Sequence, residues 1–276
     1  MLINARGMLG LLALALSPAV LPAQDQDDNR WLKDCEDNTY DSDSREQVCE
    51  VRQTGFRLSG NSLTLDPDIN GGAEIIGWDN DSVAVTTRVQ AGGHTLEAAQ
   101  DLAKGIKTEI SGSTIRVTGP SPGRRQNWGA QLVVWVPRKI NLTAETVNGP
   151  LSVDGVTGTM DLRAQNGPVS LTGVGGDVVA RVQNGPLSVK LSGTKWDGKG
   201  LDAESVNGPV DLAVPENYNA ELETGTVNGP YDVAMPLTVT IQGSMKDRIH
   251  STLGKGGAPV RVVTTNGPLT IRRARS

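Results

Sequence analysis

The stretches LTAETVNGPLSV (residues 142–153), MDLRAQNGPVSL (160–171) and VVARVQNGPLSV (178–189) are one pattern written three times. Asn-Gly-Pro recurs six times in all: Asn148-Gly149-Pro150, Asn166-Gly167-Pro168, Asn184-Gly185-Pro186, Asn207-Gly208-Pro209, Asn228-Gly229-Pro230 and Asn266-Gly267-Pro268. An apolar, polar, apolar alternation follows each copy, from Leu151-Ser152-Val153 to Leu269-Thr270-Ile271. That is the period-two signature of a strand with one dry face. Upstream, the positions six and four residues before each Asn are apolar or small, beginning with Leu142 and Ala144, and the position between them is mostly polar. Each unit therefore reads as strand, Asn-Gly turn, strand.

The copies are spaced by 18, 18, 23, 21 and 38 residues, and the extra residues fall between units, at 193–200 and 236–257. A stack of equivalent coils absorbs such loops, because each rung needs its neighbours' strands but not the chain that leaves the stack. The expected fold is all-β: a β-solenoid, a single-stranded β-helix-like stack of short strands. An antiparallel meander is the alternative, since Asn-Gly is also a strong two-residue hairpin signal. Proline lacks an N–H and is tolerated at a strand entry, where all six fall. Stacked Asn side chains can bond one another as a ladder. Six independent turns would need no such bonds.

Residues 55–140 follow the same grammar more loosely, with Leu63-Thr64-Leu65, Asn70-Gly71-Gly72, Val83-Ala84-Val85, Ile115-Arg116-Val117 and the apolar run from Leu132 to Val136. Between them Leu96, Ala99, Leu102, Ala103 and Ile106 follow helical spacing behind Thr95 as cap, with Gly105 as stop. One short α-helix over an end or side of the sheets is expected there.

The first 23 residues combine Arg6, an apolar stretch from Met8 to Leu16, Pro18 and a small residue at Ala23. This is the pattern of a secretory signal peptide, cleaved after Ala23, and the apolar stretch is short for a membrane anchor. No later segment reaches spanning length. Residues 24–50 carry ten acids against Arg30, Lys33 and Arg45, in a chain of net charge −5. The acidity belongs to this arm, reads as a solvated lead-in, and argues against nucleic acid as a partner. Cys35 and Cys49 are the only thiols and both lie in the arm. In an exported protein the economical reading is a disulfide, closing a loop worth roughly 3 kcal/mol by chain entropy; the thirteen intervening residues do not suit a redox pair. The expected organisation is a signal peptide (1–23), an acidic disulfide-bearing arm (24–54) and a β-solenoid domain (55–276).

From residue 55 to 273 the chain resembles a bacterial family of exported domains of unknown function, called "putative adhesins", with units of the form T-V-N-G-x-[IL]-x-[VIL]. The likeness rests on the repeats, on Asn70-Gly71-Gly72 followed by Gly77-Trp78-Asp79, on the Ala-rich helix, on Trp128 before the Leu132–Pro137 strand, and on Met235-Pro236-Leu237-Thr238-Val239. Leu253-Gly254-Lys255-Gly256-Gly257 before Val260 is similar as well. Pro stands in all six repeats where the family often has a polar residue. The resemblance implies a β-helical shape, export, no catalytic residues and an adhesin-like role.

Chemistry is sparse. Two histidines, His94 and His250, and two cysteines do not build a zinc centre, and no nucleotide or hydrolase motif is present. No cofactor or metal is expected. Asp66-Pro67-Asp68-Ile69-Asn70-Gly71 opens like a calcium loop, but Gly77 stands where the bidentate Glu belongs. Asp211 and Asp232 share an outward column in consecutive units, which in a sequential stack puts them about 5 Å apart, a retaining-glycosidase separation. Three functions follow. The leading one is an exported, non-enzymatic adhesin-like protein that presents extended surfaces to a protein or glycan at the cell envelope, whether periplasmic, cell-surface or secreted. The others are a carbohydrate-active β-helix using Asp211 and Asp232, and a purely structural envelope component.

Overall fold

The computed structural model describes residues 22–37, 46–235 and 248–274. The expected leader, save its last two residues, and the 236–247 part of the longest insertion lie outside them. The N-terminal half forms α1 (Pro22–Asp37), β1 (Glu46–Arg57), β2 (Ser62–Asp66), β3 (Gly71–Trp78), β4 (Ser82–Gly93), α2 (Leu96–Gly105), β5 (Lys107–Ser111), β6 (Thr114–Thr118) and β7 (Asn127–Pro137). The repeats give β8 (Asn141–Asn148) and β9 (Leu151–Asp154), β10 (Thr157–Asn166) and β11 (Val169–Thr172), and β12 (Gly175–Asn184) and β13 (Leu187–Lys190). They continue with β14 (Gly200–Asn207) and β15 (Val210–Val214), then β16 (Ala220–Asn228) and β17 (Tyr231–Val233). After β18 (Ile249–Leu253) come β19 (Pro259–Asn266) and β20 (Leu269–Arg273).

Strands before the turns make one ten-stranded sheet, here the second, and strands after them make the first. β8 and β9 flank Asn148-Gly149-Pro150 yet do not pair with each other. β8 pairs in parallel with β10, and β9 with β11. The fold is the β-solenoid, and the hairpin meander is ruled out. Register follows the repeat residue for residue. Leu142 lies beside Met160, Val178 beside Leu201, and Val169 beside both Leu151 and Leu187. All are buried in one continuous core between the sheets.

The turns are tied on two sides. Outside, Asn166 Nδ2 donates to Asn148 Oδ1 at 3.0 Å, Asn184 to Asn166 at 2.9 Å and Asn207 to Asn184 at 2.9 Å. Asn266 then bonds Asn207, and Asn228 bonds Asn266, both at 2.8 Å. Asn148 reaches Asn70 at 3.4 Å, so the early Asn-Gly-Gly is a seventh step of the ladder. Inside, Ser205 donates to the Gly185 carbonyl, Thr264 to that of Gly208 and Thr226 to that of Gly267, at 2.8–2.9 Å. The proline carbonyls serve the ladder too, as in Leu151 N–H to Pro168 O at 2.9 Å, so proline forfeits only its own donor. Glycine is required by proximity. A Cβ on Gly185 would sit 2.2 Å from the Gly167 carbonyl oxygen, and one on Gly167 would sit 2.2 Å from that of Gly149.

The stacking order is not the sequence order. In the second sheet β19 lies between β14 and β16, and in the first β20 lies between β15 and β17. The sixth unit is thus an interior rung and the fifth is the outer one, corrected from the sequential stack that the spacing suggests. The reason is that both units carry the same inward columns, so either packs on β14 equally well. The opposite end is interleaved likewise: β6 and β7 lie outside β2 and β3 and pair with them in parallel. Antiparallel strands close both ends, β5, β4 and β1 at one and β18 at the other. The 193–200 insertion also returns to the stack. Trp196 is buried in the core and donates its indole N–H to Gly176 O at 3.0 Å.

Among the described residues there are two helices where one was expected. α2 matches the sequence reading, with Thr95 Oγ1 accepting from Ala98 N–H and Ala99, Leu102 and Ala103 buried. Arg52 of β1 donates to the Ala103 and Ile106 carbonyls, placing a cation at the helix C-terminus. α1 is the additional helix, and β1 runs across residue 54 as a twelve-residue strand paired along its whole length with β4. The acidic arm is therefore part of the first sheet and its cover, not a solvated lead-in. Gly185→Ala is expected to lower the unfolding free energy by about 2–3 kcal/mol in urea titration, because backbone must move to admit the methyl. Gly123→Ala, which meets only the end of the Gln126 side chain, should stay within about 0.5 kcal/mol.

Candidate binding surfaces

The outward face of the second sheet is a regular polar surface. Glu145, Arg163, Arg181 and Glu204 form one column at successive rungs, and Gln165 and Gln183 lie in the next. Together they line an open groove of about 610 Å³ that crosses β8, β10, β12 and β14. Charges on this face alternate and pair. Asp161 accepts two bonds from Arg163 at 2.9 Å, and Arg261 contacts both Asp202 and Glu204, at 2.6 and 3.1 Å. Burial raises the Asp202 carboxyl, but its bonds from Arg181 and Arg261 outweigh this and hold it below the ordinary aspartate value.

The Asp211–Asp232 pair does not assemble. Because β20 lies between β15 and β17, Thr270 stands between the two acids, which are therefore two strand spacings apart, roughly 9–10 Å. The 5 Å separation expected from a sequential stack is lost with that stack. Arg272 also occupies both oxygens of Asp211, at 2.8 and 3.0 Å. In the Asp66–Gly71 stretch, Asp66 is bound to Arg116 at 2.8 Å and Asn70 joins the amide ladder, so the loop serves as a turn. His94 and His250 are exposed, and no group of three or more metal-ligating side chains occurs among the described residues.

The structure brings together a second surface that the sequence does not announce. α1 lies across the outward face of the first sheet, where β4, β7 and β3 are neighbours. Asp28, only 4% exposed, pairs with Arg88 of β4 at 2.7 Å and also accepts from Gln53 of β1 at 3.2 Å. The Cys35–Cys49 disulfide ties the end of the helix to β1, and Gln47 Nε2 donates to Cys35 O at 2.7 Å. Between helix and sheet lies a cleft of about 330 Å³. Ile76, Val133 and Trp135 form its apolar side, and Trp31 of α1 faces them. Glu74 of β3 is half-buried there. Burial raises its carboxyl above the ordinary glutamate value, Arg88 opposes this, and Asp27 and Asp154 add to it. No hydrogen bond or ion pair reaches Glu74 from the described residues. The residues involved are up to 108 positions apart in sequence, Asp27 to Trp135, and are brought together by the pairing of β3, β7 and β4, by the buried Asp28–Arg88 pair and by the disulfide.

Two outcomes are expected. Arg88→Met leaves the Asp28 charge buried and unpaired; it should cost about 3 kcal/mol and strip hydrogen-exchange protection from α1 first. For Glu74 the folded pKa is the higher one, so folding favours the protonated form and stability is lost as pH rises through that value. Glu74→Gln should therefore raise Tm near neutral pH, with the gain fading towards about pH 4.

No curated protein matches the chain in sequence. A "putative cell adhesion protein" from Clostridium sporogenes ATCC 15579 is similar in structure at 12% identity, covering 83% of this chain and 100% of that one, with a TM-score of 0.42. A "putative adhesin" from Bacteroides fragilis NCTC 9343 is 13% identical over 82% of this chain and 97% of that one, TM-score 0.35. A "putative lipid binding protein" from Parabacteroides distasonis ATCC 8503 is 10% identical over the same shares, TM-score 0.29. Among the described residues, no helix is long and apolar enough to cross a membrane. The Toastrack DUF4097 model matches residues 103–272, from the last turn of α2 through β5–β7 and the six repeats, and the chain belongs to that family.

Proposed function

We propose that the protein is an exported, non-enzymatic binding protein that engages a protein or glycan of the cell envelope along the groove on the second sheet. One observation supports this reading above the others. The outward column over four rungs is long and polar throughout, Glu145, Arg163, Arg181 and Glu204 at one strand spacing with Gln165 and Gln183 beside it, offering regularly spaced donors and acceptors to an extended polar ligand. The amides of Gln165 and Gln183 are exposed, and so is the Arg163 guanidinium, although Asp161 holds it. Binding of this kind comes from many modest contacts on a rigid surface rather than from a pocket. The disulfide suits an oxidising compartment outside the cytoplasm, which the signal-like leader also supports. The loss of the close Asp211–Asp232 pair removes the motive for glycan cleavage through a retaining mechanism.

The test is retention on a glycan array and on envelope fractions, with wild type beside a variant combining Gln165→Ala, Gln183→Ala and Arg163→Ala. The expected result is saturable retention that falls about tenfold or more in the variant, with an unchanged unfolding midpoint. Retention undiminished by the triple change, or absent from wild type on every surface, overturns the reading.

A further inference from the structure

The cleft beneath α1 is separate from the groove and lies on the other sheet. It holds an acid without a partner. Glu74 is half-buried, carries an ionisable carboxylate, and receives no hydrogen bond from the described residues. The cations beside it are committed elsewhere, Arg88 to Asp28 at 2.7 Å and Arg30 towards Asp27 at 3.7 Å. Asp34 on the rim adds a further negative charge. An anion is therefore repelled, and a cation would supply what Glu74 lacks.

The tryptophans narrow the kind of cation. Five are present in the chain. Trp78, Trp128 and Trp196 each donate the indole N–H to a backbone carbonyl, of Ser82, Pro120 and Gly176. Trp31 and Trp135, the two that line the cleft, have no such bond to a described residue. Trp31 is partly exposed, and Trp135, 9% exposed and packed against Ala84 and Val133, presents to a ligand only the part of its ring that lines the cleft; indole faces attract cations more strongly than other aromatic side chains do. Ile76 and Val133 beside them favour alkyl or ring carbon over bound water. A bare metal ion fits poorly, since it needs several oxygens and no metal-ligating group of three is present among the described residues. At about 330 Å³ the cleft falls within the size range of small-ligand sites.

We propose that this cleft binds an organic ammonium group, with the Glu74 carboxylate as its counter-ion and Trp31 and Trp135 as its aromatic walls. Two sources carry this chemistry, a quaternary ammonium headgroup and the primary ammonium of an amino sugar. α1 then acts as the cover of the site, and the Asp28–Arg88 pair with the Cys35–Cys49 disulfide are its positioning elements.

Tryptophan fluorescence and calorimetric titration of the disulfide-intact protein test this with four probes. Choline and glucosamine carry the charge. Their neutral counterparts, 3,3-dimethylbutanol and N-acetylglucosamine, do not. The expected result is saturable binding of choline or glucosamine, at least about tenfold tighter than its neutral counterpart. The tighter of the two charged probes identifies the source. Glu74→Gln should lose about tenfold in affinity or more while its Tm is no lower than wild type, which separates loss of binding from loss of fold. Trp135→Leu should show the same loss, and Gln165→Ala on the other sheet should show none. Equal binding of charged and neutral probes, full affinity in Glu74→Gln, or no saturable binding of either ammonium overturns the proposal.

Discussion

Turn backbones of adjacent rungs approach one another too closely to admit a side chain, and the rest of the fold depends on this contact. At this contact there is no room for a Cβ, so the column of glycines fixes the distance between rungs. Once that distance is one strand spacing, each Asn amide meets the next Asn, and Ser205, Thr226 and Thr264, two residues before their Asn, meet glycine carbonyls. Register is then no longer free. Slipping one strand by a single residue would turn its inward leucines and valines to water and break both the inner and outer ties at once. The aliphatic core supplies most of the favourable energy, but the turns decide which of many apolar pairings is adopted.

The same interchangeability explains the order of the rungs. A unit defined by Asn-Gly-Pro and two apolar columns packs on any other such unit, and nothing in the pattern says which one. The chain exploits this at both ends. It skips a place after β15, builds the outer rung and the β18 cap, and returns to fill the gap with β19 and β20. An end formed this way is held by strands from two distant parts of the sequence. In the second sheet it also leaves the outermost edge to the antiparallel β18, which does not offer the next rung a parallel template of the same kind, while the first sheet ends in the three-residue β17.

These points set what the sequence could reveal. Strands, turns, the solenoid, the Thr95-capped helix and the pairing of the two cysteines are all local or periodic signals, and each was legible. Asn70 was visible as an Asn-Gly, though its place as the first step of the ladder was not, because Gly72 stands where the repeats have Pro. Rung order was invisible, since it is set by loop reach among equivalent units, and the expectation for Asp211 and Asp232 failed with it. α1 was invisible for another reason. Its composition is that of a solvated arm, and its position depends on Asp28 finding Arg88 sixty residues away, which no periodicity encodes.

Where a discrete site can form follows from symmetry. In the middle of the first sheet an outward side chain has near copies of itself above and below, as Ser170 has Ser152 and Ser188, so what one rung offers its neighbours there offer too. Such a surface suits a long ligand and cannot single out a small one. A specific pocket needs neighbours that differ, and these occur only where the repeat stops. On the first sheet that place is β3, where the column of serines gives way to Glu74 and then to Val133 of β7. An isolated carboxylate beside an apolar patch costs little on an open, solvated face and becomes costly only under a cover. The disulfide and the Asp28–Arg88 pair hold α1 over this spot and no other, at the expense of burying two charges and half of a third. A helix anchored that firmly over an acid that lacks a partner is difficult to explain as stabilisation alone, because an apolar residue at position 74 would pack against Ile76 and Val133 at lower cost.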